Sequence, residues 1–343
     1  YSEACRPVLG NKVDGIAGKL IDLIAVFALL AGTATTFSLA TPLLAGAISS
    51  VTGIPQSTGL TLVILVIVCA IYTFSVYFGM KGVQLSAATC TWLFFGLLAY
   101  VFFFGGQTRF IIEEGITALG NMTQNFIGLA TWTDSLRTSS FPQTWTIFYW
   151  AYWMVWCVAV PFFIGSISKG RTLRQVILGG YVFGLSGTFT SFIIMGNYGL
   201  GLQMHGKLDV LSSYAADGNL YHAILDILGQ LPLSKAVLVL LVLCMITFYS
   251  TSFDSITMVA STYTYKKLQS VEEPHRNVKL FWAIFLILLP LALIFSENSM
   301  SNLQTVSIIA AFPIGVIILL IIGSFFKDAK AYLKEHGDPN AKR

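Results

Sequence analysis

The chain has 343 residues, of which 55% are hydrophobic and only 10% charged, with a mean hydropathy of +0.75. A soluble domain carries about 25% charged residues, so the composition excludes a soluble globular protein and indicates an integral membrane protein. The net charge of +4 is small and its basic residues are dispersed through loops, so nucleic acid is not expected among the partners.

The opening "YSEACRPVLGNKVDG" has neither the basic n-region nor the apolar h-region of a signal peptide. It reads as a piece of a longer protein that begins within a domain. A spanning helix needs about 20 mostly apolar residues. Eight stretches qualify, near 20–48, 59–80, 86–105, 144–166, 174–200, 234–262, 279–296 and 303–326. Between the third and fourth, apolar residues recur at helical spacing among two Glu and many polar residues, which predicts an extracellular amphipathic linker helix over 107–142. A second short surface helix is expected within 212–232. The basic residues settle the orientation. With the first residue in the cytoplasm, sixteen Lys and Arg fall on the inner side and four (Arg109, Arg137, Lys207, Lys235) on the outer, a strong positive-inside bias. Both ends are then cytoplasmic, in a multi-pass protein of the plasma membrane. Asn121-Met122-Thr123 is a glycosylation sequon on the outer side.

The fourth span opens with "WTIFYWAYWMVW", residues 145–156, four of the chain's seven Trp and two Tyr in twelve residues. On a helix turning about 100° per residue, Phe148, Tyr152, Trp145, Trp156, Tyr149 and Trp153 fall within an arc of about 140°, and Trp150 points elsewhere. Two readings stand side by side. Trp and Tyr favour the membrane interface, which accounts for Trp145 and Tyr149 better than for the deeper Trp153 and Trp156. A deep aromatic face also suits a quaternary ammonium group, which donates no hydrogen bond and is held by ring faces.

This run, followed by "ISKGRTLR" (167–174), closely resembles the signature of the betaine/choline/carnitine transporter (BCCT) family, an aromatic run of the type WTxFYWxWWxxW leading into an ISRGRTxRE loop. Tyr152 stands where the family usually has Trp, and Lys169 replaces an Arg. "RPVLGNKVDGIAGKLIDLIAVFALLAGTATTFSLATPLLAG", "TSFDS" (251–255) and "LQTVSIIAAFP" look like the family's fifth, tenth and twelfth helices. The resemblance implies a LeuT-like inverted-repeat fold, all-α and partial, with eight of twelve helices. Residues 1–106 would be the remainder of the first repeat, 143–326 the second repeat and 327–343 a cytoplasmic tail. It assigns Phe148, Tyr152, Trp153 and Trp156 to a cation–π box for a trimethylammonium substrate. It also implies embedding in the lipid bilayer and assembly as a homotrimer.

A hydroxyl-rich stretch, "CMITFYSTSFDSITM" (244–258), interrupts the sixth span. Thr251, Ser252, Ser255 and Phe248 share a face about 100° wide. Such hydroxyls often bond back to their own helix. By the resemblance, Thr251 and Ser252 are sodium ligands and Phe248 contributes its carbonyl. Asp254 points about 60° away from Thr251 and reads as supporting the site or contacting another helix. Ionisable groups inside a membrane are functional candidates by default. The "LSAATCTW" stretch (85–92) departs from the Asn-containing pattern of sodium-coupled relatives, which keeps a sodium-independent exchanger open. A non-transporting receptor or scaffold derived from the transporter also stays open.

Small residues and Pro42 in "GTATTFSLATP" (32–42) read as close helix packing and a kink. The five Cys lie singly and read as small buried hydrophobes. No nucleophile–base pair, phosphate loop or metal spacing argues for an enzyme, and no cofactor is expected beyond a coupling sodium ion.

Overall fold

The computed structural model describes residues 1–77, 80–215, 219–265, 274–294 and 299–337. Every regular element among them is helical. Parts of the second and seventh expected spans, the loop lysines 266 and 267, and the last six residues of the tail lie outside this set.

An N-terminal segment of short helical turns leads into α1, Ile16–Thr52. Arg6 grips Asp14 through two parallel N–H···O bonds of 2.8 and 2.9 Å and also bonds Glu3. The guanidinium holds both carboxyls below the usual carboxylate range. The helix α1 is 37 residues long, about 55 Å at 1.5 Å per residue. Gly53 ends it with φ 77° and returns its N–H to the Ser49 carbonyl at 2.8 Å, a left-handed cap that glycine adopts without strain.

Helices α2 (Thr58–Tyr77) and α3 (Met80–Phe104) follow. The linker forms α4 (Thr108–Gln124) and a further turn of helix over Phe126–Thr131. Its amphipathic character is as expected: Ile111 and Gly115 are buried while most of the helix is exposed. A Cβ at Gly115 would stand 2.6 Å from Ile193 Cγ2, so the linker lies directly on the later span.

Residues 132–141 form a loop built on Asp134. Its buried carboxylate accepts from the N–H groups of Thr138, Ser139 and Ser140 and from the hydroxyls of Thr138 and Ser139, at 2.8–3.1 Å. Asp134, Arg137 and Ser140 all have positive φ (46°, 56° and 55°), a conformation costing about 1–2 kcal/mol for a residue with a Cβ. The donors, led by the Ser139 N–H, hold the carboxyl well below its ordinary range. A carboxyl lowered in the folded state stabilises above its unfolded pKa of about 3.9 and loses that contribution as pH falls toward the folded value. A spin label at the exposed Ser135 should therefore stay ordered at pH 5–7 and gain mobility progressively as pH falls below about 4 toward the folded value. In Asp134→Asn it should be mobile at every pH. A label as ordered in Asp134→Asn at pH 7 as in the parent would refute this account of the loop.

The fourth expected span is not one helix. A π-helical turn over Pro142–Thr146 leads into α5 (Ile147–Trp156), which ends in a turn at Cys157–Ala159 before α6 (Val160–Ile167). The cause is Pro161. It has no N–H for the Cys157 carbonyl four residues back, and its ring clashes there. The Tyr1 hydroxyl donates to that carbonyl instead, at 3.4 Å. The fifth expected span is a helix over Leu173–Met204 (α7), starting from a capping box between Thr172 and Gln175. It passes through a π-helical turn at Phe192–Gly196.

The expected surface helix within 212–232 is α8, Leu220–Gly229, with residues 216–218 outside the described set. Then come α9 (Ser234–Thr262), α10 (Arg276–Ile294) and α11 (Ser299–His336). Six helices of the described residues are long and apolar enough to cross a membrane. Eight were expected; α5 and α6 are each too short, and α10 adjoins residues outside the described set.

The hub is α1, which packs on α11, α9, α10 and α5. Its hydroxyls bond back to the carbonyl four residues earlier and also reach across. Thr35 Oγ1 lies 2.7 Å from Ser307 Oγ on α11. Thr41 Oγ1 lies 2.8 Å from the Tyr249 hydroxyl on α9. Phe37 stacks on Phe253 at 4.0 Å, and Tyr249 and Tyr72 complete the cluster. Packing is therefore the role of the 32–42 stretch, with hydroxyl bridges as its glue.

Candidate substrate and ion sites

The aromatic helix α5 packs on α11 and α1. Phe148, Ala151 and Val155 are buried, at spacings of three and four that put one face inward. Phe148 stacks on Tyr152 with ring centroids 5.5 Å apart, and Tyr152 meets Trp156 edge-on at 6.1 Å. These three, at i, i+4 and i+8, make one ladder on the side of the helix toward α1. Trp145 joins its outer end, 6.5 Å from Phe148.

Trp153 is not in the ladder. It is 62% exposed, close to the 68% of Trp150. All the aromatics of the 140° arc exist as expected, but the buried centre lies at its Phe148 edge. Trp153, at the other edge, turns away from the bundle. The expected quartet is thus split into three and one.

Two residues that the sequence marked only for packing complete the ladder. The Thr36 hydroxyl donates to the Gly32 carbonyl at 3.0 Å and receives the Tyr152 hydroxyl at 2.6 Å. The bond fixes the tilt of the Tyr152 ring. A Cβ at Gly32 would fall 2.8 Å from Val155 Cγ1 and 3.9 Å from Trp156 Nε1, so only glycine lets α1 come this close to the foot of the ladder. The available signal was the "GTATT" run itself, small residues and hydroxyls at spacing four.

The hydroxyl face of α9 meets α3. Thr251 Oγ1 donates to the Thr247 carbonyl at 2.9 Å and lies 3.3 Å from Ser86 Oγ. Ser255 Oγ bonds back to Thr251 O at 3.1 Å. Ser252 is part-buried, and the Phe248 ring, 44% exposed, packs edge-on against Phe94 at 5.3 Å. Thr251 and Ser252 therefore sit on a part-open surface. In the 85–92 stretch, Thr89 and Thr91 bond to their own helix, at Leu85 O and Ala87 O. Asp254 is fully buried on another side of α9, where Ser75 Oγ of α2 donates to its Oδ2 at 2.6 Å.

A bundle of long apolar helices around a central helix stitched by hydroxyls, with an aromatic ladder against it, defines an all-α multi-pass membrane protein. A family model described as BCCT, betaine/carnitine/choline family transporter, matches residues 1–334, and the chain belongs to that family. It is 30% identical over 315 residues to a carnitine transporter of Acinetobacter baumannii, covering 91% of this chain and 57% of that protein. It is 31% identical over 338 residues to the glycine betaine transporter OpuD of Bacillus subtilis, covering 97% of this chain and 64% of that protein. The Escherichia coli transporter YeaV, itself uncharacterized, is 27% identical over 337 residues. The chain thus spans about three fifths of the length of the first two relatives.

Proposed function

We propose that the full-length protein is a secondary transporter of a trimethylammonium compound such as glycine betaine, choline or carnitine, coupled to sodium. Membership of the family supports the class, and the printed names of the relatives support the substrate chemistry. The observation that carries the reading is the ladder of Phe148, Tyr152 and Trp156. The faces of rings held against the central helix attract a cation that can form no hydrogen bond. The hydroxyls of Thr251 and Ser252 are hard oxygen donors suited to a small hard cation. The sixteen-to-four distribution of basic residues supports cytoplasmic ends.

A sodium-independent exchanger is the second reading, favoured by the 85–92 stretch. Ala87 and Ala88 bring no side-chain oxygen there, and the hydroxyls of Thr89 and Thr91 are engaged by their own helix. Uptake of labelled glycine betaine, choline and carnitine into proteoliposomes decides between them. A symporter loses nearly all uptake when potassium replaces external sodium. Undiminished uptake that requires substrate loaded inside would establish the exchanger. No uptake of any of the three compounds, in either arrangement, would overturn the transport reading.

A further inference from the structure

Helix α9 has a second polar surface, distinct from the Thr251 face. Ser250, Asp254, Thr257 and Ser261 are spaced by four, three and four residues, so they share an arc of about 60°. The centre of that arc lies about 140° round the helix from the centre of the Phe248–Thr251–Ser252–Ser255 face. All four residues are buried, Ser250 at 3% exposed and the other three at 0%. An apolar helix does not bury four polar residues in register without chemical cause, because each must find partners inside the bundle.

Two of them do. Ser75 Oγ donates to Asp254 Oδ2 at 2.6 Å, and Ser261 Oγ bonds to Thr257 O at 2.6 Å. Two oxygens do not. Asp254 Oδ1 and Thr257 Oγ1, one turn apart on the same face, have no hydrogen-bond partner among the described residues. The elements packed here bring these titratable groups. From α2 come Tyr72, whose hydroxyl is spent on Ala283 O at 2.6 Å, and Cys69. From α9 itself comes Tyr249, bonded to Thr41. The α1 surface here presents Phe37 and Thr41. Lys279 of α10 is buried and has its own partner. No Lys or Arg among the described residues forms an ion pair with Asp254.

An ionised carboxylate in a dry bundle needs a countercharge, and a single carboxylate balances a single positive charge. Carboxylate and hydroxyl oxygens are hard donors, which small alkali cations prefer. We propose that Asp254 and Thr257, with Ser250 and Ser75 beside them, bind one sodium ion between α9 and α2, at a site separate from Thr251 and Ser252. The ion neutralises Asp254 and occupies the two open oxygens. The proposal concerns binding alone. A protein that binds sodium here and moves no trimethylammonium compound would overturn only the transport reading.

The test is equilibrium binding of radioactive sodium to the purified full-length protein in nanodiscs, without substrate, with N-methylglucamine chloride holding ionic strength constant. The double variant Thr251→Ala/Ser252→Ala should keep one sodium equivalent. Adding Asp254→Asn should abolish it. Thr257→Val, which keeps both the carboxylate and the side-chain shape, should weaken it about tenfold, the effect of losing roughly 1.4 kcal/mol of binding free energy. Thermal unfolding of each variant without sodium reports whether it is folded, and Thr257→Val serves if Asp254→Asn is not. Retained binding in folded Asp254→Asn or Thr257→Val overturns the proposal. So does a wild-type protein in which Asp254 takes up a proton at neutral pH and the double variant binds no sodium.

Discussion

Trp156→Leu in the full-length protein lowers uptake of trimethylammonium substrate about tenfold or more, while Trp150→Leu changes it by less than about twofold. A desolvated cation–π contact is worth about 2 kcal/mol, and 1.4 kcal/mol is a factor of ten. Trp156 is part-buried at the foot of the ladder, edge-on to Tyr152 and beside Gly32. Trp150 is 68% exposed on the far side of the same helix. The two substitutions remove the same ring from the same helix, so expression and insertion are matched and the difference reads the face. Trp153→Leu should resemble Trp150→Leu more than Trp156→Leu, because its ring is turned away from the ladder. Uptake measured at equal membrane levels of the three variants is the check. Equal losses at 150 and 156 would dissolve the ladder as a substrate site, and a dominant loss at 153 would move the site to the opposite edge of the arc.

Phe253→Ala destabilises the helix bundle by about 3–5 kcal/mol, the cost of emptying a tightly packed aromatic site. Phe253 is fully buried and stacks on Phe37 at 4.0 Å, with Tyr249 at 5.9 Å and Tyr72 at 5.5 Å. It is the residue at which α1, α2 and α9 meet, and those three helices share one apolar cluster. Lipid tails are as apolar as the ring, so the loss comes from missing packing contacts rather than from water exposure. Unfolding of the detergent-solubilised protein by a graded denaturant should show it. Phe162→Ala on α6, where the side chain is 41% exposed, should cost much less. A Phe253→Ala protein as stable as the parent would mean that α1 and α9 are held together by their hydroxyl bridges alone.

Much of this molecule is legible in its composition and spacing. Apolar runs of about 20 residues can satisfy their backbone only as helices in lipid, so the positions of α1, α2, α3, α7, α9, α10 and α11 follow from hydropathy. The aromatic run and the TSFDS stretch were visible as exceptions to that hydropathy, and the resemblance to the family is carried by the same residues. The linker showed itself by helical spacing among charges. Pro161 was equally visible, yet a hydropathy reading runs straight through it. The break into α5 and α6 depends on a backbone hydrogen bond that hydropathy does not count.

Helical periodicity places residues around an axis but cannot say which part of the arc faces the protein. From "WTIFYWAYWMVW" alone, Trp153 and Trp156 were equivalent. The neighbours α1 and α11 place the buried centre at Phe148 and Val155, and that separates them. The hydroxyls of the 32–42 stretch likewise had local partners in any helix; only the crossing of distant segments gave Thr36, Thr35 and Thr41 the second partners Tyr152, Ser307 and Tyr249. Asp254 was identifiable from sequence as an acid inside a membrane helix. That its face is fully buried, shared with Thr257 and closed by Ser75 from 179 residues away, was decided by helix packing, because a contact between distant segments is a property of the assembled bundle and not of any local stretch of chain.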